Sequence, residues 1–546
     1  MPSTPLHQFL ELEQKLAHEV YLRQPFKGQW KEWTWQQAGN EARRMAAALH
    51  AINLPKGTHV AILSKNCAHW MMADIAIMMA GCVSVPIYPT LSDKSIQPIL
   101  EHSDTKAIFI GKLDDYASQI NGIPPGIIRI SFDDYGIKEQ HTWNELIRSQ
   151  EPISDINNPL PDDLMTIIYT SGTTGTSKGV MHTYGNFDRT LSKALPQLQL
   201  PQRSVLLSYL PLSHIAERLA IEMNSFYSGS IINFAESVDT FAANVQEIQP
   251  QVFFAVPRLW GKFREGVLKK MPEKKLKLLL SIPIINSIIR KKIKQALGLS
   301  RATHIYSAAA PISVDLLKWF QRLDITVMQA LGMTEDCVYA HFERPYARRM
   351  GSVGKPLEGM QIKISEQGEL RVKTPSNTVG YYKEPQLTAE LYDEEGYLKT
   401  GDMVEYDHDG FLFVIGRVKD QFKTDKGKYI APTPIETKIL ANSDVENTCV
   451  VGTGIPQPIA LVVLSETGKI KTTEDITESL ITMLNAINST LEAHEKLEKV
   501  VIMKETWSIE NGLLTPTLKV KRNQIEKIHQ AFYPKWFEKK GRVIWE

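Results

Sequence analysis

Tyr169-Thr170-Ser171-Gly172-Thr173-Thr174-Gly175-Thr176-Ser177-Lys178-Gly179 follows directly on the apolar run Met165 to Ile168. Its eleven residues hold three glycines, six Ser/Thr hydroxyls and one lysine. Glycine lets the backbone turn sharply and approach a ligand closely. Successive backbone N–H groups and hydroxyls can then surround an anion, and Lys178 adds a positive charge. The stretch therefore reads as a phosphate-binding loop, against the plainer alternative of a polar strand-to-helix turn. It is not the Walker loop, which needs Gly-Lys-Ser/Thr in that order, because here the order is Ser177-Lys178-Gly179.

The rest of the chain sets the bounds. At 546 residues it exceeds what one hydrophobic core supports, so two to four domains are expected. A hydrophobic share of 43% and a charged share of 23% are those of an ordinary globular protein. The formal charge of +1 supplies no global field for nucleic acid. Cys67, Cys82, Cys337 and Cys449 are scattered, with no C-x-x-C pair, which argues against zinc and against a disulfide framework. They suit a reducing compartment, and a cytoplasmic location is expected. The N-terminus lacks a signal peptide's basic-then-apolar order. The most apolar stretch, Met71 to Pro86, is broken by Asp74 and Gly81 and reads as a buried helix followed by a strand.

Short apolar runs at His59–Leu63, Val83–Ile87, Ala107–Ile110, Val205–Leu210, Ser230–Phe234 and Val252–Val256 alternate with helical spacing. That pattern predicts an α/β fold of parallel sheets with helices on their faces. From Gly359 the texture changes to short strands and tight turns, predicting a small antiparallel sheet or barrel-like subdomain. Gly416-Arg417-Val418-Lys419-Asp420 reads as a boundary. It divides a large N-terminal domain, 1–416, from a small, mobile α+β domain, 417–546.

Other strings carry chemistry. Gln329-Ala330-Leu331-Gly332-Met333-Thr334-Glu335 follows an apolar run, and Glu335 is a candidate Mg²⁺ ligand or simply a strand-end acid. Asp402 in Thr400-Gly401-Asp402 can accept from ribose hydroxyls, or mark a turn. Lys519, in Thr515-Pro516-Thr517-Leu518-Lys519, is a candidate electrostatic catalyst or part of a basic surface loop.

Taken in order, the phosphate loop, LGMTE, TGD, GRVKD and the late lysine resemble the AMP-forming adenylating enzymes: acyl-CoA synthetases, luciferases and peptide-synthetase adenylation domains. Ser208 to Arg218, Ser307 to Pro311 and Val379 to Tyr382 match further motifs of that superfamily, and the resemblance runs from about Trp33 to Arg522. The strings YLPLSHIAERL, INFAES, AVPRLWGKF, HEKLEK and LTPTLKVKR resemble the long-chain fatty acyl-CoA synthetase branch.

The resemblance implies ATP, Mg²⁺ and coenzyme A, with a fatty acid as substrate. It places the triphosphate on Thr170, Ser171, Gly172, Thr173, Thr174, Gly175 and Lys178, and Mg²⁺ near Thr170 and Glu335. Adenine and α-phosphate fall to Ala308, Ala309, Ala310, Gln329, Ala330, Leu331, Gly332 and Thr334. The ribose falls to Asp402 and Arg417, the interdomain hinge to Lys419, and a place near the nucleotide to Lys423. Lys519 bridges the acyl carboxylate and α-phosphate, His214 gates the acyl or CoA channel, and Gly427 and Tyr429 meet CoA after the small domain rotates.

Two departures from the family pattern are notable. Leu331 stands where an aromatic usually stacks on adenine, and Asp425-Lys426-Gly427 replaces a more glycine-rich loop. Met271 to Ser300 interleaves basic and apolar residues, which suits either a solvated lid or peripheral contact with the inner face of a membrane. A homodimer stays open. The competing functions are a fatty acyl-AMP ligase serving a carrier protein and a nonenzymatic nucleotide or acyl-AMP binding protein.

Overall fold

The computed structural model describes residues 3–171, 177–515 and 517–546, with Ser171 described by its backbone alone. Gly172, Thr173, Thr174 and Gly175 of the expected phosphate loop, and Pro516 beside Lys519, lie outside the described residues.

Two large sheets dominate. In one of eight strands, His59–Leu63 pairs in parallel with both Val83–Ile87 and Ala107–Ile110. The strand Leu164–Ser171 joins beside Val83–Ile87 and turns back antiparallel as Ser177–Thr183. The other sheet, of nine strands, runs its parallel centre through Ile231–Phe234, Val205–Ser208, Val252–Ala255, His304–Ser307 and Met328–Leu331. These strands are buried on both faces, as near-continuous apolar runs require. The strands expected at 59–63, 83–87 and 107–110 form with those bounds.

The apolar stretch around Asp74 forms the fully buried helix Ala68–Met79. Asp74 is tolerated there because Arg218 donates to it at 2.6 Å and to Thr166 at 2.6 Å. Burial pushes the neighbouring Glu222 carboxyl well above its usual range. Arg218 belongs to a π-helical turn, Arg218–Met223. That turn sends Arg218 and Glu222 into the core and leaves Leu219 and Ala220 on the cleft described below.

The strands Gln361–Ile364, Glu369–Lys373, Leu398–Tyr406 and Leu412–Arg417 make an antiparallel sheet of four. Its first and last strands do not pair, so it is an open sheet and not a barrel. A further mixed sheet, Val445–Val451, Ile459–Leu464, Lys499–Ile502 and Val543–Trp545, carries apolar cores on both faces. The C-terminal stretch KWFEKKGRVIW supplies its edge strand and buries Trp536 and Ile544. Among the described residues no helix is long and apolar enough to cross a membrane.

Candidate active site

A cleft of about 2460 Å³ lies between the large sheets, the four-stranded sheet and the C-terminal segment. Thr170 and Lys178 face each other across the neck of the hairpin that carries the glycine-rich loop. The Lys178 ammonium lies 4.9 Å from the centre of the Tyr381 ring. The Tyr381 hydroxyl donates to Glu335 Oε1 at 2.8 Å. Burial, and then the Glu335 charge, push the Tyr381 phenol far above its usual range, so it remains a donor. Three strings far apart in sequence thus meet through one tyrosine. Tyr381 was legible only as part of Val379-Gly380-Tyr381-Tyr382, with no role attached. Gly380 sets its direction: φ is +134°, and a Cβ there would lie 2.6 Å from the Thr388 side chain.

The neighbouring acids Glu335 and Asp336 part company. Asp336 is buried and accepts from the Met333 N–H at 3.1 Å, and burial raises its carboxyl well above the usual range. It shapes the turn, while Glu335 lines the cleft. His182 donates from Nε2 to the Thr334 carbonyl at 2.7 Å. Burial holds that imidazole down to about 4, so it is neutral and its proton is committed to the loop. Cys337 and Val338 follow with φ of +52° and +53°, two consecutive left-handed residues without a glycine. Such backbone costs about 1–3 kcal/mol per residue and persists where its surroundings over-determine it.

Ala308, Ala309, Ala310, Gln329, Ala330, Leu331, Gly332 and Thr334 all line the same cleft. Ala309 sits at φ +70°. The Gln329 amide is tied to the Ser352 carbonyl at 2.7 Å, and its backbone N–H donates to Glu343 at 2.9 Å. Burial raises Glu343 to about 7, and sequence reasoning had no signal for it. Leu331 packs against the core of the four-stranded sheet, which fixes its position on the cleft wall.

On the opposite wall, Asp402 and Arg417 are register partners on adjacent strands, joined at 2.8 Å. Lys519 projects from a tight turn in which Thr515 N–H donates to the Lys519 carbonyl at 2.8 Å and Lys519 N–H donates to Thr515 Oγ1 at 3.0 Å. Leu518 takes φ +61° to make that turn. Although it touches the cleft's solvent, Lys519 is surrounded by protein; this desolvation, with Arg417 beside it and only partly offset by Asp402, holds its ammonium down to about 8. His214 accepts from the Ala216 N–H at Nδ1, 3.1 Å away, which leaves the proton on Nε2. Burial, and then the Lys519 charge, hold His214 down to about 4.

Lys419 lines the cleft from a single 3₁₀ turn, Val418–Asp420. Lys423, Gly427 and Tyr429 do not line it: they form a separate exposed hairpin in which the Lys423 ammonium lies 5.6 Å from the Tyr429 ring centre. One bridge between the two sides was invisible in sequence. Arg258, on the helix Pro257–Lys270, forms an ion pair with Glu446 on Val445–Val451.

The cleft also has an apolar branch. Leu191, Ala194, Leu195 and Leu198 on the helix Tyr184–Leu198 face it with Leu219, Ala220, Val252 and Phe254. Among the described residues no cluster of three or more His, Cys, Asp or Glu is placed to hold a metal alone. Glu335 with Thr170 fits Mg²⁺, which takes one or two carboxylates and completes its shell with substrate phosphates and water. The second oxygen of Glu335 accepts no hydrogen bond among the described residues.

Known proteins share this architecture. The adenylation domain of a carboxylate reductase from Mycobacterium chelonae superposes with a TM-score of 0.81 at 20% identity, over 98% of this chain and 91% of that one. The o-succinylbenzoate CoA synthetase of Bacillus subtilis, solved with its acyl-adenylate, gives 0.73 at 22% identity, over 95% and 97%. In sequence, the long-chain-fatty-acid–CoA ligase ACSBG2 of Xenopus laevis is 28% identical over 99% of this chain and 85% of its own length. The long-chain-fatty-acid–CoA ligase FadD15 of Mycobacterium bovis is 26% identical over 91% of each. Residues 12–382 match the AMP-binding enzyme family and residues 419–533 its C-terminal domain, and the chain belongs to that family.

Proposed function

We propose that the protein is a long-chain fatty acid–CoA ligase that uses ATP and Mg²⁺ and forms an acyl-AMP intermediate, releasing pyrophosphate and then AMP. The observation that carries this reading is the placement of Lys519 between Asp402–Arg417 and His214, on the same cleft as Lys178, Glu335 and the apolar branch.

In the first step a carboxylate oxygen attacks the α-phosphorus, and the bond to the β-phosphate bridging oxygen breaks. Acid and triphosphate repel each other, so the chain's part is positioning and charge rather than a covalent nucleophile. Lys178, at the neck of the glycine-rich loop, and Lys519, from the facing wall, bring cations from two directions. Asp402 and Arg417 are placed for the ribose, and the Ala308–Ala310 and Gln329–Thr334 segments for the base. Bound Mg²⁺ would neutralise phosphate charge, held by Glu335 and Thr170. The apolar branch takes the acyl chain.

In the second step the CoA sulfur, its proton released to solvent, attacks the acyl carbon, the carbon–oxygen bond of the mixed anhydride breaks, and AMP leaves with that electron pair. Lys519 has no part in that step, and Gly427 and Tyr429 wait on their exposed hairpin for CoA. The reading therefore includes a rotation of 417–546 against 1–416, with Lys419 as the hinge. The same reading gives a cytoplasmic location and peripheral contact with a membrane through 271–300. A homodimer does not enter it, since one chain supplies every residue named.

The test is fatty-acid-dependent pyrophosphate release, with and without CoA. Continuous turnover with CoA, rising from acetate to acids of about ten carbons or more, is expected because each buried methylene adds about 0.8 kcal/mol. Release that needs a carrier protein, or none at all, would overturn it.

A further inference from the structure

Residues 273–296 form two helices, Glu273–Ser281 and Ile285–Ala296, packed on each other as a hairpin. The inner face is settled. Leu276 and Ile293 are buried in the core that holds Trp260, Trp319 and Phe320, with Leu280 and Ile289 against it. The base is pinned by Glu273, which accepts from Trp319 at 3.1 Å and Arg322 at 2.9 Å, and by Arg290, which donates to the Arg322 carbonyl at 3.0 Å.

The tip has no such partners. Leu278, Ile282, Ile284, Ile285 and Ile288 are all exposed, five of the 19 exposed large hydrophobic residues among the described residues, within eleven positions. That clustering sets them apart from the single exposed apolar residues that any surface carries. Ile284 is 79% exposed and sits at φ +70°. A β-branched side chain in the left-handed region is an outlier where glycine would be at ease.

Charge is concentrated on the same element. Residues 269–294 hold nine Lys/Arg and one acid, a net of +8 in a chain whose total is +1, which leaves −7 for everything else. Lys274, Lys275, Lys291 and Lys292 are exposed and form no ion pair among the described residues. An apolar tip between two basic flanks matches an anionic bilayer: isoleucines among the acyl chains, lysines at the phosphates.

We infer that the 273–296 hairpin docks the protein on an anionic lipid surface. The helix that leads into it, Pro257–Lys270, lines the cleft through Arg258, Gly261 and Leu268. At 1.5 Å per residue this helix spans about 21 Å and runs from the cleft wall to the base of the hairpin. Docking would hold the cleft beside the bilayer from which a fatty acid partitions; this last consequence rests on the ligase reading above, whereas the docking does not.

The test is flotation of the full chain with vesicles of phosphatidylcholine alone and with about 30% phosphatidylglycerol, at low and high salt. Binding is expected only with phosphatidylglycerol, and should weaken as salt rises. Replacing Ile282, Ile284, Ile285 and Ile288 by Ser should lower the partition coefficient more than about 100-fold, given the apolar area removed. Replacing Lys274, Lys275, Lys291 and Lys292 by Gln should lower it by a similar factor. Ile284→Gly separates function from folding: it should raise the melting temperature by relieving the left-handed strain, yet weaken binding. Decanoate activation in vesicle-free buffer should be unchanged in all three variants.

Equal binding to neutral vesicles, or undiminished binding of the variants, overturns the proposal. So does a concentration-dependent dimer, seen by sedimentation velocity, that the serine variant abolishes. Vesicle binding without any fatty acid activation would leave the docking surface standing and remove the ligase reading instead.

Discussion

On the large-sheet side of the cleft, Lys178, Tyr381 and Glu335 hold one another, and His182 and Glu343 fix the backbone of the loops beside them. On the C-terminal side, the Lys519 N–H is clipped to its own Thr515, and the strand Val445–Val451 reaches the helix Pro257–Lys270 through the ion pair Arg258–Glu446. The first wall is a set of side chains that hold one another in place. The second is a set of groups delivered on an element that touches the first wall lightly. Two successive reactions in one cleft call for such a division, because charge needed for adenylation obstructs the thiol that follows.

The sharpest way to break this comparison is to remove the delivered charge. Lys519→Ala should lower acyl-AMP formation by roughly 10²–10³, the scale for deleting one preorganised charge. Thioester formation from preformed acyl-AMP should change little. The ammonium is held down to about 8, so the cation is complete below that pH and is lost as pH rises through it. In the parent, kcat/KM for adenylation should therefore fall above about pH 8, and Lys519→Arg should remove that limb. Pyrophosphate release measured without CoA across pH 6–10 reads both. An identical loss in the two half-reactions would mean that Lys519 belongs to the fixed wall.

How the two walls could be read from sequence also differs. Glu335, Asp402 and Lys519 could be singled out because each sits in a short string whose residue types are needed together, and all three line the one cleft. The parallel strands were legible because burial on both faces leaves unbroken apolar runs. Tyr381 was not, because its role comes from a hydrogen bond to a residue 46 positions away. Arg258 and Glu446 are 188 positions apart, and nothing local marks either as a partner. Glu335 and Asp336 are chemically alike and adjacent, and only the turn geometry separates the ligand candidate from the cap. Of the antiparallel sheet or barrel-like subdomain expected after Gly359, the open sheet forms: short strands and tight turns announce antiparallel pairing but not whether the first and last strands meet.

A smaller effect is expected from loosening the fixed wall. Tyr381→Phe keeps the ring beneath Lys178 and removes only the hydrogen bond to Glu335. A hydrogen bond to a charged group contributes about 1.5–3 kcal/mol, and part of that remains as the carboxylate is rehydrated, so a loss of roughly tenfold in adenylation is expected. The Mg²⁺ concentration for half-maximal rate should rise with it, because Glu335 is then free to turn away. An unchanged Mg²⁺ dependence would show that Tyr381 packs against the site without orienting its acid.

The smallest effect should come from the contact between the walls. Arg258 and Glu446 are partly exposed, with side chains 35% and 18% accessible, so the pair contributes about 1 kcal/mol at most, roughly a fivefold bias in a two-state equilibrium. That bias favours the arrangement with Lys519 in the cleft. Arg258→Ala or Glu446→Ala should slow acyl-AMP formation a few-fold and leave conversion of bound acyl-AMP to thioester unchanged or slightly faster. The exchanged pair, Arg258→Glu with Glu446→Arg, should recover most of the loss, whereas either reversal alone places like charges together and should be worse than alanine. Single-turnover reactions with excess enzyme and radiolabelled fatty acid, with acyl-AMP and acyl-CoA quantified separately, give both rates. If the single variants slow the two steps equally and the exchange restores neither, the ion pair is a surface contact with no part in moving the C-terminal segment. Other contacts, such as the helix Pro432–Ile439 against the strand Leu412–Arg417, then hold that segment at the cleft.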